Sequence, residues 1–549
     1  MSSMNYNAAA GLGGMLKQGH EHFFDDDASD GGAVVARSIA AAVELSRMLS
    51  SSMGPQGRNK LVVNHLEKII VTKIEVEHPA AKLLELAVEQ QETECGDGTN
   101  LALMFAGELL TNTLELMKTM GWRHKSDILE GYHLASTKLL NDLLSATKED
   151  GGCVVERLPH PASSPEALKE LQEKVLKPVL GSKQYGTEDI LSDLVGQACQ
   201  IVLKEGQVLS PESIRTVKIL GGHLNQSACV QGFVAQRGVD TTKTHCEKAK
   251  IAVYASGIEA SATEAKGTVL MKTADDLKNY NRTEEAKMEE IIQGIAESGV
   301  QVVVTGGTIS DMALHFIEKY DLMALKLSSK WELRRLCQAT GSTALVRLGA
   351  PTPEEMGYST VTQKNVGGKT VTVFENDVDG SSKIATLVLR ASTSSVLNDL
   401  ERAVDDGVHA VQMACKDGRI VYGGGACEME CAVQLDQLAD QHPGLEQYAI
   451  RAFAKSLDCV AHTLADNAGW DAVQVLADIR AAHVNGQADA GVDITKSPGS
   501  TGMKDASIYD LMYVKKSAFK LAIEAATTVL KVDQIIMSKK AGGPKMPGQ

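Results

Sequence analysis

The sequence predicts a multidomain α+β protein, in which a mainly helical domain built from both chain ends encloses an inserted α/β region. Three observations predict it. Residues 1–145, and again the chain from about Ser395, carry Ala, Leu, Val and Ile at helical spacing. Between them the pattern changes to short β-rich runs. A chain of 549 residues is also long enough to bury more than one core. With hydrophobic residues at 43% and aromatics at 4%, those cores must be assembled mostly from aliphatic side chains and Met.

Residues 1–30, rich in Gly, Ala, Ser and Asp, read as a loose arm. A helix follows from about Gly31 to Ser52, with Val35, Ile39, Ala42, Val43 and Leu49 as its apolar stripe and Gly54-Pro55 as its stop. Pro79 suits the first turn of a second helix carrying Leu83, Leu84 and Ala87. Cys95-Gly-Asp-Gly breaks that helix, and Thr99 is the expected cap of a third, running to about Lys118. Pro159, Pro161 and Pro165 mark residues 151–166 as a connection. Val300–Thr305, Ser310–Tyr320 and Leu322–Leu327 then read as a βαβ unit, expected to be parallel and right-handed. Further strands are predicted at Lys250–Ser256, Ala344–Leu348 and Thr386–Arg390, with long helices from about Ser395 to Met537.

Composition removes several function classes. A net charge of −15 with no basic cluster argues against a nucleic-acid or polybasic membrane surface. No apolar run has the length of a membrane span, and the N-terminus lacks a basic region followed by an apolar one. Ten scattered cysteines with no C-x-x-C pair suit a reducing, cytosolic compartment. Cys427 and Cys431, at helical spacing, read as buried thiols rather than a zinc site.

The candidate chemistry lies in glycine-bearing loops. No G-x-x-x-x-G-K-[ST] sequence is present, so an ordinary P-loop is excluded. Met53-Gly54-Pro55-Gln56-Gly57, Gly96-Asp97-Gly98-Thr99-Asn100 and Gly423-Gly424-Gly425 each adjoin a helix end, where free N–H groups and close backbone approach can receive a phosphate. Each serves equally as a turn. Asp97, between two glycines, can ligate Mg²⁺ beside phosphates or close an Asx turn. On the helix from Ser395, Asp399, Arg402 and Asp406 lie opposite an apolar stripe of Leu397, Leu400, Val404, Val408 and Val411. There Asp406 either joins an i,i+4 ion pair with Arg402 or orients a water for attack on phosphate. Ser182-Lys183 offers a point charge for a phosphate, or is plain surface.

These pieces stand in a characteristic order: Gly54 to Lys60, His78 to Lys82 (His-Pro-Ala-Ala-Lys), Gly96 to Thr99, Glu401 to Asp406, Gly423 to Ala426, and Gly491 to Asp493. The set resembles the group II chaperonins over nearly the whole chain. Four finer stretches, Asn64–Lys68, Ser182–Gly186, Pro443–Tyr448 and Val532–Met537, point to one subunit type of the eukaryotic cytosolic complex. The resemblance implies a chaperonin fold with a mainly helical equatorial domain (1–150 and 401–549), a small intermediate domain (151–216 and 368–400) and an α/β apical domain (217–367). It implies an ATP-dependent chaperone in a hetero-oligomeric double ring of related subunits, enclosing non-native clients such as actin and tubulin. ATP and Mg²⁺ are the implied cofactors. Met53, Gly54 and Pro55 would line the nucleotide, Asp97 would hold Mg²⁺, and Gly98, Thr99 and Asn100 would cradle phosphate. Ser182 and Lys183 would reach the phosphates, Asp406 would orient the water, Gly424 and Gly425 would meet the nucleotide, and Asp493 would bind the ribose. The helix around Trp331–Cys337 would contact clients, and Ser256–Glu285 would form a built-in lid.

The sequence departs from that pattern in one place. Where the family continues from Val71-Thr72 with Asn/Ser-Asp-x-Ala-Thr, here Lys73-Ile74-Glu75-Val76-Glu77 follows directly. That leaves two readings, an ATP-hydrolysing subunit and one that binds nucleotide but hydrolyses it weakly. A third class, a soluble metabolic kinase, would also use glycine loops and aspartates. Tyr422 stands where the family usually has Pro.

Overall fold

The structure, a computed structural model, describes residues 23–24, 33–58, 76, 78–121, 124–147, 151–204, 206–259, 274–376, 384–494, 500–532 and 535–536. Lys73, Ile74, Glu75 and Glu77 therefore lie outside the described residues, as do Asn64–Lys68 and 260–273 of the expected lid. The chain forms two compact units, one from residues up to Arg157 together with those from Arg419, the other Leu158–Gly418.

The first unit is built around the helix Thr99–Met120, whose first half is buried almost all round, from Leu101 to Gly107 without a break. Ala33–Ser50, Pro79–Cys95 and Met512–Lys531 pack on it, so both chain ends share one core. Few aromatics are available, and they meet at its centre. Phe105 contacts Phe519 and Phe453 edge-on at centroid distances of 4.9 and 5.6 Å. Nearby, the Tyr132 hydroxyl lies 2.7 Å from Thr113 Oγ1. A small sheet closes the unit where the chain leaves and returns: Arg419–Tyr422 pairs antiparallel with Glu156–Arg157 on one side and Tyr509–Leu511 on the other. The C-terminal part is thus helical with short strands, not purely helical.

The second unit holds a nine-stranded sheet. Its main path runs Ile214–Leu220, Ala385–Ala391, Ala228–Ala235, Lys369–Glu375, Gly357–Val366, His245–Tyr254, Val302–Thr305, Met323–Lys326, with Ala344–Leu345 added beside His245–Tyr254. The expected βαβ unit is present: Val302–Thr305, helix Asp311–Lys319 and Met323–Lys326, the two strands parallel. Helix Ser394–Lys416 buries Leu397, Leu400, Val404, Val408 and Val411 as its stripe dictates, and Thr393 caps it by accepting from Val396 N–H.

Three of the expected domain limits divide a strand, a hairpin or a helix. The 216/217 limit cuts strand Ile214–Leu220, and 367/368 cuts the Gly367–Gly368 turn of a hairpin whose strands pair along their length. The 400/401 limit cuts helix Ser394–Lys416, which lies whole in the second unit. A hydrogen-bonded helix offers no seam in its interior, whereas the paired strands at Arg157 and Arg419 do.

Candidate functional site

In the first unit, three glycine turns are set by packing against neighbouring helices. After helix Ala33–Ser50 the chain folds back at Gly54 (φ 80°), where a Cβ would lie 2.6 Å from Leu464 Cδ2. Asn467 Nδ2 donates to the carbonyls of Met53 (2.9 Å) and Ser50 (3.2 Å), fixing the Met53-Gly54-Pro55 turn. Leu464 and Asn467 sit on the helix Cys459–Asn467. The same helix carries Ala461, whose Cβ would be 2.9 Å from a Cβ on Gly425 (φ 82°). One short helix therefore backs both the Gly54 and the Gly425 turns.

Asp97 stands between Gly96 (φ 68°) and Gly98 (φ 80°), both in the left-handed region that a side chain disfavours. Gly96 terminates helix Pro79–Cys95, and Gly98 is the N-cap of Thr99–Met120. Thr99 is thus not the cap expected from the sequence but the first helical residue, because Gly98 already adopts the capping position with no side-chain hydrogen bond. The first helical bond is Ala102 N–H to the Gly98 carbonyl at 3.1 Å. The N–H groups of Thr99 and Asn100 precede it and have no acceptor within the helix, which makes this terminus a receptor for an anion. Gln91 supports the turn from behind. Its Nε2 donates to the Asp97 carbonyl at 2.8 Å, and its Oε1 accepts from Ser517 at 2.8 Å.

Gly425 likewise caps helix Ala426–Gln441 without a side chain. The Gly424 carbonyl accepts from Val492 N–H at 2.9 Å, which brings Asp493 next to this turn. Asp493 is only 2% exposed, so it forms part of the floor beneath Gly424 and not an open face. In the first turn of that helix Glu428 is buried and accepts from Lys515 Nζ at 2.7 and 2.9 Å; Asp510 lies 2.9 Å from the same ammonium. Burial pushes the Glu428 carboxyl up to about 7, whereas Lys515 is held charged against its burial by Asp510 and Glu428. Tyr422, at the unusual position, is an ordinary ladder residue stacked on Tyr509 at 5.6 Å.

In the second unit the structure brings two predicted residues together. Lys183 Nζ lies 3.2 Å from Asp406 Oδ2, with side-chain exposures of 41% and 15%. Gly407 makes this possible: a Cβ there would be 3.1 Å from Leu180 Cδ2, so the helix Lys177–Gly181 lies close against Ser394–Lys416. Asp406 therefore has a partner on another segment, while Arg402 lies 4.0 Å from Asp399. Ser182 caps the short helix and donates its hydroxyl to the Val179 carbonyl at 2.7 Å. Asp97 and the three glycine turns belong to the first unit, the Lys183–Asp406 pair to the second.

Sequence reasoning passed over Gln91, Asn467, Glu428 and Lys515. For Gln91 a signal was present: it continues the buried positions Leu84 and Val88 and precedes Cys95, a polar residue in an apolar stripe.

The description of the TCP-1/cpn60 chaperonin family matches residues 45–540. This chain belongs to the TCP-1/cpn60 chaperonin family. Members of that family are generally nucleotide-dependent ATPases. The chaperonin is 42% identical over 547 residues to T-complex protein 1 subunit theta of Arabidopsis thaliana, covering 97% of this chain and 96% of that protein. Against the human subunit theta it is 41% identical over 554 residues, covering 98% and 96%. For the Dictyostelium discoideum subunit theta the figures are 40% over 547 residues, with 98% of each covered. Theta is the subunit type to which the four finer stretches point. Among the described residues no helix of the chaperonin is long and apolar enough to cross a membrane.

Proposed function

We propose that this chaperonin is an ATP-hydrolysing subunit of a cytosolic hetero-oligomeric double ring that folds non-native proteins, actin and tubulin among them. The observation that carries the ATP reading is Asp97, set between two left-handed glycines at the uncapped start of helix Thr99–Met120. One carboxylate beside an open helix N-terminus suits Mg²⁺, which binds through one or two carboxylates plus phosphate oxygens. Asp97 would hold that ion, whose chemistry is to neutralise charge on the phosphates. The N–H groups of Thr99 and Asn100 would face the same phosphates, with Met53, Gly54, Pro55, Gly424 and Gly425 lining the nucleotide. Asp493 is the proposed ribose residue, reaching it from the floor of the Gly424 turn.

In this reading Lys183 reaches the phosphates and Asp406 orients the water. Their pairing supports it, since it sets a carboxylate beside a cation on a tightly packed helix. With nucleotide bound, the ammonium gains phosphate oxygens as alternative partners, and Asp406 is left to accept a hydrogen bond from the attacking water. The exposed Trp331 on helix Lys330–Thr340 is the proposed client contact within the apical part.

Single-turnover hydrolysis in rings reconstituted with variants of this chain tests the reading. Asp97→Ala should weaken Mg-ATP binding, and Asp406→Ala should leave binding intact while slowing this subunit's hydrolysis about 10²-fold or more. Parent-like turnover in both variants would overturn the assignment. The absent Asn/Ser-Asp-x-Ala-Thr stretch after Thr72 favours a second reading, a subunit that binds ATP and hydrolyses it weakly. That reading is selected if the parent chain binds Mg-ATP and shows no turnover of its own.

A further inference from the structure

A cluster of three sulfurs lies outside the proposed nucleotide residues. Cys427 and Cys431 are one turn apart on helix Ala426–Gln441 and so share a face. Cys153 comes from a distant part of the sequence, with its N–H bonded to the Leu143 carbonyl at 2.8 Å, and meets that face from across the core. All three thiols are buried and free, and their Sγ atoms lie within 4.8 Å of one another. The Cys153–Cys431 pair is at 3.4 Å.

We propose that Cys153, Cys427 and Cys431 form a trigonal thiolate site for one soft metal ion, Cu(I). The geometry comes first. Metal–thiolate bonds of about 2.3 Å around a trigonal centre put the sulfurs about 4 Å apart, between the shortest separation here and the outer limit of the cluster. The donor set comes second. A structural zinc site takes four ligands, and among the described residues this group supplies three, all sulfur. Soft thiolates select Cu(I), whereas hard divalent ions such as Mg²⁺ and Ca²⁺ prefer oxygen donors. Third, the alternative use of buried cysteines, as small hydrophobes, asks nothing of their mutual position. Three of the ten meeting at one point is a stronger requirement than burial. Binding is not a redox step: the ion enters and remains as Cu(I), and each ligating thiol releases its proton to solvent.

The full-length chain, reduced and metal-stripped, can be titrated anaerobically with Cu(I) supplied as its coloured bicinchoninate complex. The expected result is transfer of one Cu(I) per chain, with near-ultraviolet thiolate-to-metal absorption and, relative to the metal-free chain, slower alkylation of Cys153, Cys427 and Cys431 but not of the half-buried Cys337. Cys431→Ser should weaken retention about tenfold or more, while Cys199→Ser, buried elsewhere, leaves it unchanged. Failure to take Cu(I) from the competitor, equal retention by Cys431→Ser, or preferential uptake of zinc would overturn the proposal. If Cys431→Ser does not fold, the alkylation of the parent with and without Cu(I) decides: Cu(I)-dependent protection absent from these three, or spread over other cysteines, refutes the site.

Discussion

Gly425→Ala tests whether the glycine turns are placed by close approach and not merely by backbone freedom. Gly425 has φ 82°, and an added Cβ would lie 2.9 Å from Ala461 Cβ and 3.1 Å from Ala461 Cα and N. Putting a side chain in the left-handed region costs about 1–2 kcal/mol. Crowding against a helix backbone that cannot step aside adds about 1–3 kcal/mol. Gly469 is the matched control, because it has φ 79° and nothing within 4 Å of an added Cβ. Gly469→Ala should show the first cost alone. Thermal unfolding of the two variants should therefore differ by about 1–3 kcal/mol, or about 2–4 °C for each kcal/mol in a unit of this size. Ala461→Gly removes one of the three close atoms, so a double-mutant cycle with Gly425→Ala should recover part of the loss. Mg-ATP affinity should fall in Gly425→Ala and hold in Gly469→Ala. Equal destabilisation by the two alanines would refute the close-approach argument.

Two other changes probe the same unit. Asn467→Ala strands the half-buried Met53 carbonyl, removes one of two donors to the Ser50 carbonyl and should cost about 1–3 kcal/mol, with faster amide exchange at Met53 and Gly54; unchanged exchange there would contradict the anchoring role. Glu428→Gln bears on pH. The folded carboxyl, pushed up to about 7 by burial, binds its proton more tightly than the unfolded one, so its contribution is complete below about pH 4.5 and lost as pH rises through 7. The glutamine variant should flatten the pH dependence of denaturant stability across that range, and an unaltered slope would contradict the assignment.

What was legible in the sequence was local. The Gly54, Gly98 and Gly425 turns show themselves as glycines beside helix ends, and the stripe from Leu397 to Val411 fixes which face of its helix is buried. The hairpin Gly357–Val366 and Lys369–Glu375 went unread although Thr and Val alternate and Gly367-Gly368 marks its turn. Its polar face looks like loop until the strands that cover the other face are known. The Lys183–Asp406 pair depends on Gly407 admitting Leu180, a contact between segments that no spacing reports. Cys153 joins Cys431 in the same way, through tertiary packing alone. The 400/401 limit falls inside helix Ser394–Lys416, whose apolar stripe runs on past it from Leu397 to Val411.

The proposed function rests on Asp97 holding the metal, Lys183 contacting phosphate and Asp406 orienting the attacking water. A structure of the assembled ring trapped with Mg²⁺ and an ATP transition-state analogue measures this directly. The account predicts Asp97 on the metal and Asp406 within hydrogen-bond reach of the attacking water, with Lys183 turned from Asp406 onto phosphate oxygens. A bound analogue with Asp406 and Lys183 still joined to each other, out of reach of the γ-phosphate position, would contradict it.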